Sequence, residues 1–196
     1  MVSSRTRRSV NSYSRITPKF RVSLAVNREP TVSLKTEHES WSFRWSGSRM
    51  GFERIVDKYY IFNTIYIYSR NQIEEWMKGY DYIRGVLRCQ VETIYLDLKL
   101  FPNQDKLIID WLISQQQSVN CMVIGSCQEE CDDDLKYLMD NMKASKRLEL
   151  TMTHHKEDFQ LELPEGLHHL RVGHSEFIKY EQLMKLLGCS ESSRHF

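Results

Sequence analysis

The chain has 196 residues, of which 41% are hydrophobic, and a formal net charge of +1, so it can form one globular domain with a small annex and is not a charge-driven binder of nucleic acid or membranes. No apolar run reaches the roughly 20 residues that cross a bilayer, and the start lacks the apolar stretch of a secretory signal. Because its 5 cysteines cannot all pair within one chain, we expect an intracellular protein, cytoplasmic or nuclear, with reduced thiols.

Residues 1–19 form a basic arm. The chain carries no acidic residue before Glu29. Such an arm could contact RNA or DNA phosphates, although only Tyr13 and Phe20 could stack on bases. It is also too poor in apolar residues to favour an organelle transit peptide. We interpret it as a solvated or incompletely folded segment, and nucleic-acid association through it is the alternative function. The basic residues that precede Glu29 are Arg5, Arg7, Arg8, Arg15, Lys19, Arg21 and Arg28.

Residues 20–68 are predicted to be mostly β structure. Apolar residues alternate in 20–26, again in 32–34 and again in 41–45, which is the pattern of half-buried strands. Short strands with tight connections predict an antiparallel meander. The spacing then changes, and the next apolar residues predict a short helix followed by a strand through Ile65 and Ile67. The residues with helical spacing are Phe52, Ile55, Val56 and Tyr59.

Residues 69–190 begin with a clearer helix. Asn71 can cap its first turn, with Glu74 as the reciprocal partner. Gly79 and Gly85 weaken the continuation of this helix to Leu87. One apolar stripe is predicted to face the core. It consists of Ile73, Trp76, Met77 and Tyr80.

The chain then becomes periodic. A pattern of three apolar residues occurs four times, with two residues between the first and second and one between the second and third. The third copy is degenerate because Ser145 takes its first place. The spacing along the chain between successive copies falls within the roughly 20–29 residues typical of leucine-rich repeats. The middle residues of the copies, Met122 and Leu170 among them, are therefore expected in one core. The copies are Val91-x-x-Ile94-x-Leu96, Val119-x-x-Met122-x-Ile124, Ser145-x-x-Leu148-x-Leu150 and Leu167-x-x-Leu170-x-Val172.

Helical patterns fill the gaps between these copies, and residues 159–163 alternate like an added strand. Strands that alternate with helices in this way are parallel, with right-handed crossovers. The predicted fold class is therefore α/β: a leucine-rich-repeat-like stack of parallel strands and helices, preceded by a small antiparallel meander. The predicted helix faces are Leu107, Ile108, Trp111 and Leu112; Leu135, Leu138, Met139 and Met142; and Tyr180, Leu183, Met184 and Leu187.

Metal binding is not predicted. Cys121, Cys127 and Cys131, with His154 and His155, lack the paired short spacing of zinc ligands. Cys121 sits within a strand pattern that we expect to be covered on both faces, so it should react with alkylating agents more slowly than Cys127 or Cys131. The acidic run Glu129, Glu130 and Asp132 to Asp134 is contiguous, unlike the alternating ligands of a calcium loop, and it suits the start of a helix.

Catalysis and cofactor binding are not predicted either. His168 and His169 alternate with the apolar residues of a strand and lack an evident nucleophile. The segment 173–177 begins like a nucleophile elbow, but Phe177 stands where the second glycine is needed. Gly125 has no second glycine beside it to let a phosphate approach. A hydrolase built on the histidines is a third and weaker hypothesis.

The order and spacing of several short segments resemble a known family. They cover roughly 70–190, and no single one is a strong motif. They are Trp76 with Ile83 and Leu87, Val91 to Leu96, Trp111 to Gln116, Val119 to Gly125, Asp133 to Leu138, Leu170 to Ser175 and Leu183 to Cys189.

Together these segments are similar to the type 2 F-box-associated domain of the expanded nematode F-box families. In that family an F-box docks a Skp-type adaptor of a cullin ubiquitin ligase, and the associated domain selects the substrate. Residues 3–9 are similar to the tail of such an F-box, whose preceding helices are absent, and residues 191–196 are a polar tail where the family continues with an apolar strand. The resemblance implies a non-catalytic module that recognises an unknown protein, and that does not bind the adaptor or the cullin by itself.

Overall fold

The computed structural model divides the chain into two compact units, residues 1–92 and 93–196. Its described part contains nine strands and three helices, with antiparallel strands first and parallel strands afterwards, which confirms the α/β class. No helix in that part is long and apolar enough to cross a membrane. The described residues are 20–98, 100–101, 103–127, 131–152, 156 and 159–173.

The first unit contains five strands in the spatial order β4-β5-β3-β2-β1. The first three pair antiparallel, so the predicted meander is confirmed. It does not extend further, because β5 lies parallel to β3 and antiparallel to β4. The strands are β1 (Arg21–Val26), β2 (Thr31–Lys35), β3 (Glu39–Ser46), β4 (Gly51–Asp57) and β5 (Tyr60–Tyr68).

The short helix predicted from Phe52 to Tyr59 is wrong. This segment is β4, which forms a hairpin with β5 through a turn at Lys58 and Tyr59. Every residue of β4 is exposed, so its apolar spacing does not report a buried helix face. Backbone pairing to β5 and the β-branched Ile55 and Val56 favour the strand instead.

The helix α1 (Gln72–Leu87) packs against β3, and its predicted apolar stripe is confirmed as buried. Asn71 occupies the N-cap position, but its side chain donates to the carboxylate of Glu74 and not to the backbone. The helix continues past Gly79 and ends at Arg88, whose left-handed backbone with φ of 52° provides the terminal turn.

The second unit alternates strands and helices. Its strands have the order β6-β7-β8-β9 and are all parallel, as predicted. The four copies of the repeat lie in register, because Ile94 pairs with Met122, Met122 with Leu148 and Leu148 with Leu170. The elements are β6 (Val91–Asp97), α2 (Asp105–Gln115), β7 (Ser118–Cys127), α3 (Asp132–Asn141), β8 (Lys143–Met152) and β9 (His169–Val172).

The apolar interior of this unit combines alternate strand residues with one face of each helix. The predicted face of α3 is confirmed, whereas α2 turns Leu107 to solvent and buries Ile109 in its place. Phe159 and Leu161 are buried, but the described chain forms only a single bridge at Leu161 and not the predicted strand. The predicted helix at 180–187 lies outside the described residues. The interior includes Ile94, Leu96, Ile108, Ile109, Leu112, Met122, Ile124, Leu135, Leu138, Met139, Leu148 and Leu150.

Acidic residues begin both of the helices described in the second unit. Asp132 is fully buried, and its carboxylate accepts a hydrogen bond from the backbone N–H of Lys156 at 2.9 Å. Partial burial, with the charges of Asp134 and Asp97, raises the pKa of Asp105 to about 6. Asp105 is therefore destabilising when it is ionised, although its position in the first turn of α2 offsets part of this effect.

We expect Asp105→Asn to stabilise the protein at pH 7.5 by about 1 kcal/mol, a value discounted for partial exposure of the carboxyl. Because the folded pKa is raised, the wild-type protein is penalised above pH 6 and recovers as the pH falls toward the unfolded value near 4. Urea melts of both proteins at pH 7.5 and pH 4 would measure this. Asp133→Asn is the matched control in the first turn of α3. The Asp133 side chain is 90% exposed and its ion pair with Lys156 lies at the surface, so this change should give no stabilisation. A gain that is equal at both pH values would contradict the prediction.

Candidate functional site

The face of the second unit's sheet opposite the buried side chains is lined by the alternate residues of its strands. We call it the open face. Thr93, Cys121, Arg147 and His169 lie side by side across the four strands. A second row consists of Tyr95, Val123, Glu149 and Arg171. Because neighbouring strand residues point to opposite sides, the register that buries Met122 also presents these rows, and all of their residues are exposed or partly exposed.

A small ion-pair network lies at the centre of this face. Arg147 donates from Nε to Oε1 of Glu149 at 2.8 Å and makes a second contact through Nη2. His169 Nε2 lies 3.7 Å from the same carboxylate oxygen. The hydrogen bond to Glu149 raises the pKa of Arg147. Only 13% of the Glu149 side chain is exposed, so its carboxylate depends on Arg147 to replace the hydrogen bonds to water that it loses on folding.

Tyr95 is the large aromatic residue of the open face, and 41% of it is exposed. Burial of the remainder raises the pKa of its hydroxyl, with a further increase from Cys121, while Arg147 acts in the opposite direction. The phenol therefore stays protonated at neutral pH and can donate or accept a hydrogen bond. An accessible tyrosine near an arginine combines two of the three residue types that are enriched among the residues that dominate binding energy at protein interfaces.

The expected burial of Cys121 is wrong. The strand β7 buries Met122 and Ile124, whereas Cys121 and Val123 are only partly buried. Cys131, at the start of α3, was expected to be more reactive than Cys121, but it is the more buried of these two cysteines. The continuous apolar run in β7 predicted a strand covered on both faces, but Cys121 and Val123 lie on the open face.

We therefore expect Cys121 to react with iodoacetamide faster than Cys89 or Cys131 in the folded protein. Cys89 is buried, and burial raises the pKa of its thiol, which lowers its thiolate fraction. Peptide mass spectrometry after timed labelling would give the three rates, with urea-unfolded protein as the reference. Slower labelling at Cys121 than at Cys131 would mean that the open face is covered.

The other candidate residues that the structure describes do not converge on a centre. His168 is exposed and hydrogen-bonded through its backbone to Lys146, while His169 points to the open face. Gly125 lies within the strand β7. The described residues contain no group of three or more His, Cys, Asp or Glu that could hold a metal ion. The arm 1–19, Glu129, Glu130, His154, His155, residues 174–177 and the side chain of Cys127 lie outside the described part.

No family model, curated protein or solved structure matches the chain. The candidate site is therefore defined by its geometry. The sequence predicted the rows that are buried in β6, β7 and β8, whereas Leu170 and Val172 of β9, predicted in the same core, are only partly buried. It did not single out Tyr95, Arg147 or Glu149. The signal for them was present, because the residues between the apolar places of each copy must face the other way.

Proposed function

We propose that the chain is a non-catalytic protein-recognition module whose open face contacts another protein. The observation that carries this proposal is the in-register set of four parallel strands. It buries one row of side chains and presents aromatic, charged and small residues on the opposite side. Adjacent parallel strands hold these side chains on a rigid surface, which lowers the entropy lost on binding.

The composition of the open face supports binding more than catalysis. Arg147 and Glu149 satisfy each other, and His169 contacts the same carboxylate, so these groups act as a fixed pattern of charge. Such a pattern steers a partner and sets its register. Tyr95 adds apolar area with a polar end, which suits the centre of an interface.

The assignment to a leucine-rich-repeat-like module that selects a substrate starts from the sequence repeat. Copies at leucine-rich-repeat spacing that stack in register favour a leucine-rich-repeat-like unit, and stacks of this kind bind partners through an extended surface. The resemblance to the type 2 F-box-associated domain gives that surface a role, namely selection of a substrate for a ubiquitin ligase. The partner is then a protein substrate, and the adaptor and the cullin are contacted elsewhere in the assembly.

Site-specific photocrosslinking would test this function. p-Benzoylphenylalanine replaces Tyr95 in one variant and Tyr137 in the matched control. The two tyrosines are 41% and 39% exposed, but Tyr137 lies on α3, where its hydroxyl donates to Asp110 at 2.8 Å. We expect discrete protein adducts in cells from the Tyr95 position and few from the Tyr137 position.

Arg147→Glu provides the second arm of the test. It reverses the central charge of the open face. Because it also leaves the largely buried carboxylate of Glu149 without this donor, it should destabilise the protein by about 1–3 kcal/mol, and circular dichroism must show that the variant is folded. The adducts formed through the Tyr95 position should disappear in this background. Adducts of the same pattern and yield from both tyrosine positions, unaffected by Arg147→Glu, would show that the open face is not the recognition surface.

A further inference from the structure

The outermost strand of the first unit, β4, exposes large apolar side chains on both of its faces. Phe52 and Val56 lie on one face with 59% and 67% of their surface exposed, and Ile55 lies on the other with 53% exposed. Scattered exposed apolar residues are ordinary. Three on one seven-residue strand, flanked by the exposed Met50 and Tyr59, form a concentrated apolar edge.

The backbone of this strand is also available. β4 pairs with β5 on one side and is the last strand of the order, so no strand of the described chain pairs with its other side. Natural edge strands are commonly protected by charges, prolines or bulges. β4 has no proline, and its pairing with β5 runs without interruption from Gly51 to Asp57. Its charged residues lie between the apolar ones and leave them accessible.

The apolar edge is ordered by its neighbours. The ring of Phe52 stacks on Trp41 with 6.2 Å between centroids. On the other face, Ile55 lies opposite Phe62. The rings of Phe62 and Tyr60 lie with 4.8 Å between their centroids. Both faces of a strand added beside β4 would therefore meet fixed apolar side chains. A surface ordered in advance costs less entropy on binding.

Charge complementarity indicates what kind of strand fits. If two copies of β4 paired antiparallel about a two-fold axis, residues opposite each other would point to the same face of the sheet. The axis would then pass beside one residue, which would lie opposite the same residue of the second copy. A centre at Arg54 opposes two arginines, and a centre at Glu53 opposes two glutamates. A centre at Ile55 opposes Glu53 and Asp57 twice. A centre at Phe52 opposes no like charges, but it pairs only the first three residues of each strand and leaves Ile55 without an apolar partner. Like charges directly opposite each other are destabilising, so a second copy of the chain is a poor occupant.

We propose that the free edge of β4 binds an extended segment of another protein by antiparallel strand addition. The segment carries an acid opposite Arg54 and basic residues opposite Glu53 and Asp57. It carries apolar residues opposite Phe52, Ile55 and Val56. Read from its N-terminus, the complementary segment is basic, apolar, apolar, acidic, basic, apolar. This site is separate from the open face and does not depend on the function proposed for it.

Fluorescence anisotropy with designed peptides would test the proposal on the full chain. The probe is a fluorescein-labelled peptide that contains Lys-Ile-Val-Glu-Lys-Val between Gly-Ser flanks. The control peptide contains Glu-Ile-Val-Lys-Glu-Val, which has the same apolar pattern with every charge reversed. We expect the probe to bind at least tenfold more tightly than the control, and we expect Phe52→Ser with Val56→Ser to abolish this binding.

A charge-swap cycle makes the result independent of folding losses and of the net charge of each peptide. Wild-type protein should prefer glutamate over lysine at the fourth position of the probe, and Arg54→Glu should reverse that preference. Equal affinity for all peptides, or an unchanged preference in Arg54→Glu, would overturn the proposal. A dimer of the chain in sedimentation that Phe52→Ser dissociates would also overturn it, because a second copy would then occupy the edge.

Discussion

Met122→Ala should lower the free energy of unfolding by about 2–5 kcal/mol, because truncation removes buried methylenes and leaves a cavity. Met122 has no exposed surface, and it lies between Ile94 and Leu148 in the central buried row of the second unit. This is a large share of the roughly 5–15 kcal/mol that stabilises an ordinary domain. Denaturant melts followed by circular dichroism would measure the loss.

Two substitutions in β9 provide the controls for Met122→Ala. The side chain of His169 is 54% exposed, so His169→Ala should cost no more than about 0.5 kcal/mol. Leu170 lies in the same row as Met122, but it is only partly buried, so Leu170→Ala should cost less than Met122→Ala. A harmless Met122→Ala together with a damaging His169→Ala would mean that the register of the strands is wrong.

The sequence predicted the register of the second unit because a buried row leaves a local signature in every copy. The apolar triplets around Met122 and Leu148 repeat the same spacing, and parallel pairing then aligns them without further information. The meander from β1 to β3 was predictable for a similar reason, since alternation and tight turns are both local features. These parts of the fold depend on short stretches of chain.

The remaining features depend on contacts that no local pattern encodes. The spacing of Phe52 and Ile55 fits a helix, yet the segment pairs with β5 and buries no face. The apolar run of β7 does not reveal that Cys121 faces outward. The same limit applied to the open face, because the neighbours of Arg147 and Tyr95 come from different strands. Tertiary pairing decides all of these cases, and propensity is only a weak guide to it.

Gly79→Ala should destabilise the protein by about 1–3 kcal/mol, the usual cost of overpacking a closely packed site. A methyl group built on Gly79 would lie 2.2 Å from Cζ2 and 2.7 Å from Cη2 of Trp45. Trp45 is only 4% exposed, so its ring has little space into which it can move. In an exposed helix the same change would stabilise by about 1 kcal/mol. A destabilising effect of Gly79→Ala in urea melts would therefore indicate that α1 packs closely against β3.

Gly85→Ala is the matched control for Gly79→Ala, because Gly85 lies in the same helix at an exposed position. It should stabilise the protein by up to about 1 kcal/mol through helix propensity alone. A double-mutant cycle with Trp45→Phe adds a second criterion, since a smaller ring leaves room for the methyl group. Gly79→Ala should then cost less in the Trp45→Phe background than in the wild type. If both glycine substitutions stabilise the protein equally, Trp45 does not lie against Gly79 in the folded chain.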